Sequence, residues 1–155
     1  MDDMNVADLV EIRLPWPPSV NHYYGRARAG GVFLKPAGRK YRQAVALLLA
    51  ARGWPRISGP VEVRLRLAPP DNRRRDIDNV RKAVYDAISD RPGHRGIIAD
   101  DADIRRDWAD FIKSRDGTIT VAVAKIFGED HDQEEKPGAR PGRADGHRKK
   151  AAKGD

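Results

Sequence analysis

The chain has no cysteine among its 155 residues. That excludes a disulfide framework, thiolate metal sites and a cysteine nucleophile, and it fits a reducing cytoplasm as the natural setting. Long apolar runs are also missing. The longest, AVALLLAA at Ala44–Ala51, is far short of the ~20 residues that cross a bilayer. The opening stretch, MDDMNVADLVEIRLPW, is acidic and lacks an apolar core, so it does not read as a secretory signal. Phosphate-cradling and dinucleotide fingerprints are absent, as is a nucleophile elbow; the glycines of GRARAGG, Gly25–Gly31, fit none of them. The four histidines, His22, His94, His131 and His147, have no metal-ligand spacing. What remains is a soluble chain of single-domain length.

Charge is plentiful. The net charge is +7, but the segment Gly128–Asp155 balances its acidic and basic residues, so the whole excess lies in residues 1–127. A basic body implies a polyanionic partner, nucleic acid first and a membrane surface second. A basic protein with no such partner is the plainer alternative. The segment 128–155 is rich in charge, glycine and proline without hydrophobic period and reads as a disordered tail. With residues 1–8 as a flexible start, the folded domain is expected over 9–127.

Within that domain Leu9–Leu14 reads as a strand stopped by Pro15. Pro36 opens a helix that runs to Arg52, with Tyr41, Val45 and Leu48 inward and Gly53 at its end. Val61–Leu67 alternates strictly and predicts a half-buried strand with Glu62, Arg64 and Arg66 outward. Val80, Ala83, Val84, Ala87 and Ile88 mark one face of a helix over Asp78–Ser89. Ile104–Lys113 and Thr118–Ile126 predict two strands joined by SRDG as an antiparallel hairpin. The glycine-rich GRARAGG reads as a mobile loop. The order β-α-β-α-β-β, with helices packed on a mixed sheet, points to an α+β fold.

The chemistry concentrates in RRRDIDNVRK, Arg73–Lys82. Asp76 and Asp78 fall where extended chain gives way to helix, so residues two apart can share a face. Asp78 is a plausible N-cap, and Lys82, one turn on, shares its face, which Tyr85 and Ser89 continue. Two carboxylates ~5 Å apart repel by roughly 3 kcal/mol at an effective dielectric of about 20. Protonation, an arginine or a metal ion can each offset this. Asp100 and Asp101 can bring further carboxylate to the same place, and three such oxygen ligands suit Mg²⁺ or Mn²⁺. The residues alone also fit a capped helix whose aspartates and arginines pair on the surface. Trp16, Trp54 and Trp108 read as packing residues.

Three stretches together resemble the RusA family of Holliday junction resolvases. LPWPPSVNHYY, Leu14–Tyr24, is similar to the family's LPWPPSxNxxY signature. RRRDIDNVRKAVYDAI, Arg73–Ile88, resembles RRDxDNxxKxxxDAL, with Ile88 in place of the usual leucine. IIADDADI, Ile97–Ile104, resembles a later DDxxI element. The resemblance covers roughly residues 9–127. It implies a Mg²⁺-dependent endonuclease, Mn²⁺ being a possible substitute, that acts as a homodimer on four-way DNA junctions. Asp76 and Asp78 fall on the family's paired metal-binding aspartates, Asp101 on the third, and Lys82 on its catalytic lysine. Asn21 and Arg75 match positions beside the active site.

The expected chemistry is metal-assisted phosphodiester hydrolysis, with Lys82 stabilising charge or orienting the water. Arg73, Arg74, Arg75, Arg26, Arg28, Lys35, Arg39 and Lys40 are expected to contact DNA phosphates. The rival readings are a non-catalytic module that binds branched DNA, a metal-dependent nuclease for other branched DNA, and a basic protein that binds RNA or an acidic partner.

Overall fold

The computed structural model describes residues 9–126. The segments expected to be flexible, 1–8 and 128–155, lie outside the described residues. Strand β1, Val10–Pro15, is followed by a one-turn helix α1, Val20–Tyr23, and a small ribbon of β2, Tyr24–Arg26, and β3, Val32–Leu34. Helix α2 spans Pro36–Arg52, strand β4 Val61–Ala68 and helix α3 Ile77–Ile88. A 3-10 turn at Asp101–Asp103 leads into β5, Ile104–Phe111, and β6, Thr118–Lys125, closes the order.

The main sheet runs β1-β6-β4-β5. Strand β6 is antiparallel to β1 and β4, whereas β5 is parallel to β4. Alternation places Ile12 and Leu14 of β1, Val63, Leu65 and Leu67 of β4, and Ile119, Val121 and Val123 of β6 in one core. Helices α2 and α3 supply Tyr41, Val45, Leu49, Val80, Val84 and Ile88 to it. The fold is α+β, as the alternation of elements predicted.

Four local expectations are corrected. First, the hairpin expected from residues 104–126 does not form, because β4 pairs between β5 and β6. Strand β4 is buried along almost its whole length, so its backbone polar groups need partners on both edges. The residues from 112 to 117 are long enough to step across its end, where the Ile112 amide donates to the Leu67 carbonyl and Gly117 sits beside Pro70.

Second, GRARAGG is not a free loop. Gly30 and Gly31, at φ 86° and 90°, turn the chain so that β2 and β3 pair. Third, the inner row of α2 is Tyr41, Val45 and Leu49, a strict four-residue step, and Leu48 is exposed. Fourth, Glu62 points away from the core yet is buried, paired with Arg64 at 2.7 Å. The same outer face of the sheet exposes Trp108, with the Arg64 guanidinium 5.0 Å from its ring centre.

Candidate active site

The first turn of α3 is built by the aspartates themselves. Asp76 has extended backbone and is the N-cap; its Oδ1 accepts from the Asp78 amide at 3.0 Å and its Oδ2 from the Asn79 side chain at 3.4 Å. The cap is therefore Asp76, two residues before Asp78, the residue that the spacing favoured. Asp78 is freed to project from the first turn, where the helix dipole favours a carboxylate. Its side chain is 78% exposed, and its Oδ1 lies 3.3 Å from Arg81. Lys82, one turn later, is exposed.

The loop before the helix separates its three arginines. Arg75 is folded back: its guanidinium donates to the Asp71 and Arg73 carbonyls, reaches Asp71 Oδ1 at 2.7 Å and lies 5.2 Å from the Trp16 ring centre. Its side chain is only 16% exposed. Asp71 is held below the usual carboxylate range, first by the Arg73 amide and then by Arg75. Arg73 is exposed and 3.7 Å from Asp71, and Arg74 is exposed without a partner among the described residues. A groove of about 490 Å³ runs between these residues and the Trp16–His22 segment, with Arg73, Arg74, Arg75 and Asp76 on one wall and Pro17, Pro18 and Ser19 on the other.

Among the other basic candidates, Arg26, Arg28 and Lys40 are exposed. Lys35 donates to the Asn21 carbonyl at 2.7 Å, which brings these two candidates together, and Arg39 donates to the Leu34 carbonyl at 2.6 Å. Part of the cationic inventory therefore holds the N-terminal segment in place.

Asp100 and Asp101 take different roles. Asp100 caps the 3-10 turn, accepting from the Ala102 amide at 2.8 Å, and this bond lowers its pKa. Asp101 is left free to project and stands 3.2 Å from Arg91. Arg91 also lies 3.6 Å from Asp86, and Asp86 accepts the hydroxyl hydrogen bond of Tyr24. Burial, then the bond to Asp86, raises the Tyr24 pKa above its ordinary value. The Lys82 ammonium sits 4.9 Å from the centre of the Tyr24 ring. On the opposite flank of α3, Arg81 stands 3.1 Å from Asp107, which accepts from Tyr85 at 2.7 Å.

The Lys82 face thus continues to Asp86, four residues on. Tyr85 turns toward β5, and Ser89 is buried, its hydroxyl donating to the Tyr85 carbonyl. Tyr24 and Asp86 both lie inside the quoted signatures, and a count of four from Lys82 reaches Asp86. Arg91 is a loop residue that no periodicity marks.

Each proposed ligand carboxylate has an internal partner: Asp76 the cap amide, Asp78 Arg81, and Asp101 Arg91. Among the described residues no three His, Cys, Asp or Glu side chains form a ready metal cluster. The donor chemistry fits a divalent ion nonetheless. Asp78 and Asp101 present exposed, hard oxygen ligands, each now beside a single arginine.

Comparison with known proteins settles the family. Residues 15–124 match the family described as Endodeoxyribonuclease RusA. The chain belongs to the RusA endodeoxyribonuclease family. It is 39% identical over 94 residues to the crossover junction endodeoxyribonuclease RusA of Escherichia coli K12, covering 60% of this chain and 74% of that protein. Identity to the namesake from Enterobacteria phage 82 is 38% over the same lengths, and to that of Shigella sonnei likewise 38%. The matched region falls inside the expected domain. The chain is accordingly a DNA-cleaving hydrolase, and its family implies a divalent metal requirement in general. No helix among the described residues is long and apolar enough to cross a membrane.

Proposed function

We propose that this protein resolves four-way DNA junctions by paired symmetric nicks, with Mg²⁺ as the working ion and Mn²⁺ as a substitute. The observation that carries the reading is the helix α3 constellation. Asp76, Asp78 and Lys82 sit at its N-terminal half, beside a groove walled by Arg73–Arg75, and Asp101 is tied to the same helix through Arg91 and Asp86.

Asp76, Asp78 and Asp101 are the residues that would hold the ion. When bound, the ion would polarise the scissile phosphate and make water a stronger nucleophile. Lys82 stabilises the charge that builds on the phosphate oxygens during attack. Arg73 and Arg74 have exposed guanidiniums and hold the DNA backbone without reading bases. Arg75, locked against Asp71 and Trp16, shapes the wall of the groove and presents one side of its charge to it.

A junction needs two cuts to become two intact duplexes, so the working unit is a homodimer whose two-fold axis relates two sites. The relatives occur in bacteria and a phage, which supports a role on DNA in the bacterial cytoplasm.

The test uses a synthetic four-way junction, with and without Mg²⁺. Wild-type protein should cut it only with the ion. Asp78→Asn should abolish cutting while binding holds or tightens, because a negative charge near phosphate is removed. Binding without cleavage at any divalent concentration would overturn the reading. Faster cutting of flaps or forks than of junctions would reassign the substrate to other branched DNA.

A further inference from the structure

We propose that Tyr24, anchored by Asp86, is the positioning residue for Lys82. The proposal rests on the catalytic role given to Lys82 above. It comes from two signature residues that the reaction itself leaves without a task. Tyr24 ends the LPWPPSVNHYY stretch on β2, and Asp86 lies on α3, 62 positions later in the chain.

A lysine ammonium hangs on four rotatable bonds and is exposed here, so an unrestrained Lys82 spreads over many positions. The side chain is not unrestrained. Its ammonium stands 4.9 Å from the centre of the Tyr24 ring, within the range of a cation–π contact. An aromatic face attracts the charge without donating a competing hydrogen bond, so the ammonium's N–H groups stay available for phosphate oxygens.

The ring is fixed in turn at both ends. Its hydroxyl donates to Asp86, and its face tilts at 44° against Tyr23, with centroids 4.6 Å apart. Tyr23 is fully buried, and its backbone carbonyl accepts from the Lys35 amide ahead of α2. Asp86 does not drift, because Arg91 faces its other oxygen. Arg91 also faces Asp101. The lysine and the third aspartate are therefore placed by one chain of contacts, Lys82 to Tyr24 to Asp86 to Arg91 to Asp101.

Two variants separate ring from hydroxyl. Tyr24→Leu removes the aromatic face, and Tyr24→Phe keeps it. Single-turnover cleavage of a four-way junction should fall roughly 2- to 5-fold in Tyr24→Leu, the range for an exposed cation–π contact, with junction affinity unchanged. Tyr24→Phe keeps the ring against Tyr23 but loses the Asp86 anchor, so its rate should fall between those of wild type and Tyr24→Leu. In a Lys82→Ala background, Tyr24→Leu should cost nothing further, because the ring then has no charge to place. Full additivity of the two losses, or a loss in Tyr24→Phe equal to that in Tyr24→Leu, would overturn the proposal.

A second measurement needs no cleavage. The Lys82 ε-methylene protons should resonate upfield in the wild-type NMR spectrum from the ring current, keep that shift in Tyr24→Phe and lose it in Tyr24→Leu. A Lys82 signal that is the same in all three proteins would sink the positioning contact even if junction cleavage stands. A ring-shifted lysine in a protein that cuts no junction would leave the contact intact and refute the substrate instead.

Discussion

Gly96 offers the sharpest perturbation of the site, because it lies where the loop bearing Asp101 packs against the end of α3. Its backbone is not in the left-handed region, so an alanine there meets no conformational penalty. The obstacle is steric. A Cβ on Gly96 would lie 2.2 Å from the Ile88 carbonyl oxygen and 2.5 Å from the Ser89 carbonyl carbon, and both are backbone atoms that cannot swing aside. Ordinary contact needs more than 3.4 Å, so the loop must retreat by about 1 Å.

Three hydrogen bonds occupy that space: the Ile97 and Ile98 amides to the Ile88 carbonyl at 2.7 and 3.1 Å, and the Gly96 amide to Asp90 at 2.7 Å. Overpacking strain plus weakened buried hydrogen bonds sums to about 3 kcal/mol. For a domain of this size that is a drop of about 10 °C in Tm. The same retreat moves Asp101 relative to Asp78 and Lys82, and a 1 Å misplacement of reacting groups costs about 100-fold in rate.

The assay is thermal unfolding of Gly96→Ala, together with junction cleavage well below both midpoints. Gly93→Ala is the control. It has positive φ but open space, so it should cost only about 1 kcal/mol and leave cleavage nearly intact. A Gly96→Ala protein with wild-type Tm and rate would refute the packing of this loop on α3.

Two further outcomes are expected. Arg74 is exposed and has no partner among the described residues, so Arg74→Ala should reduce the slope of log affinity against log salt by about one, while Tm holds; an unchanged slope would remove it from the DNA contacts. His94 donates from Nε2 to the Ala87 carbonyl at 2.6 Å, and burial pushes its pKa below the ordinary 6.5. Because the folded value is depressed, the unfolded chain takes up the proton more readily. The stability from neutral His94 is thus complete above pH 6.5 and lost as pH falls through the folded value. Between pH 7.5 and 5, Tm should therefore fall more steeply in wild type than in His94→Gln; Asp71 and Asp100, both held below 3.8, titrate under this window. Parallel pH profiles in the two proteins would contradict this account.

Much of the fold was legible because it is carried by local periodicity. The alternation of Val61–Leu67 and the 3.6-residue spacing of Val80–Ile88 each specify an element without reference to the rest of the chain. What was not legible depends on partners far away in sequence. Nothing in SRDG says that the strands on either side of it are separated by another strand; that follows from the near-complete burial of β4, which only the sheet reveals. The ribbon of Tyr24–Leu34 was hidden for a similar reason, since its pairing places Tyr24 against α3 rather than serving a hairpin signal of its own. Within the candidate site, the grouping of Asp76, Asp78 and Lys82 at the start of one helix could be read from spacing, whereas the bond from Tyr24 to Asp86 joins two motifs that spacing cannot connect.

The three consecutive arginines show why local charge counts mislead. In sequence they are equivalent, and as a block they would cancel the neighbouring aspartates. In the fold one backbone geometry divides them. The loop turns so that Arg75 satisfies two carbonyls and Asp71 at once, a geometry that a planar guanidinium with several fixed donors can meet and a lysine cannot. That fixed residue leads directly into Asp76, whose carboxylate then caps α3 and leaves Asp78 facing outward. Among the described residues the exposed Arg73 and Arg74 make no ion pair with the projecting Asp78, whose partner is Arg81. Opposite charges can coexist in ten residues because Asp71 and the helix N-terminus absorb part of each sign, and the remainder is displayed toward the groove.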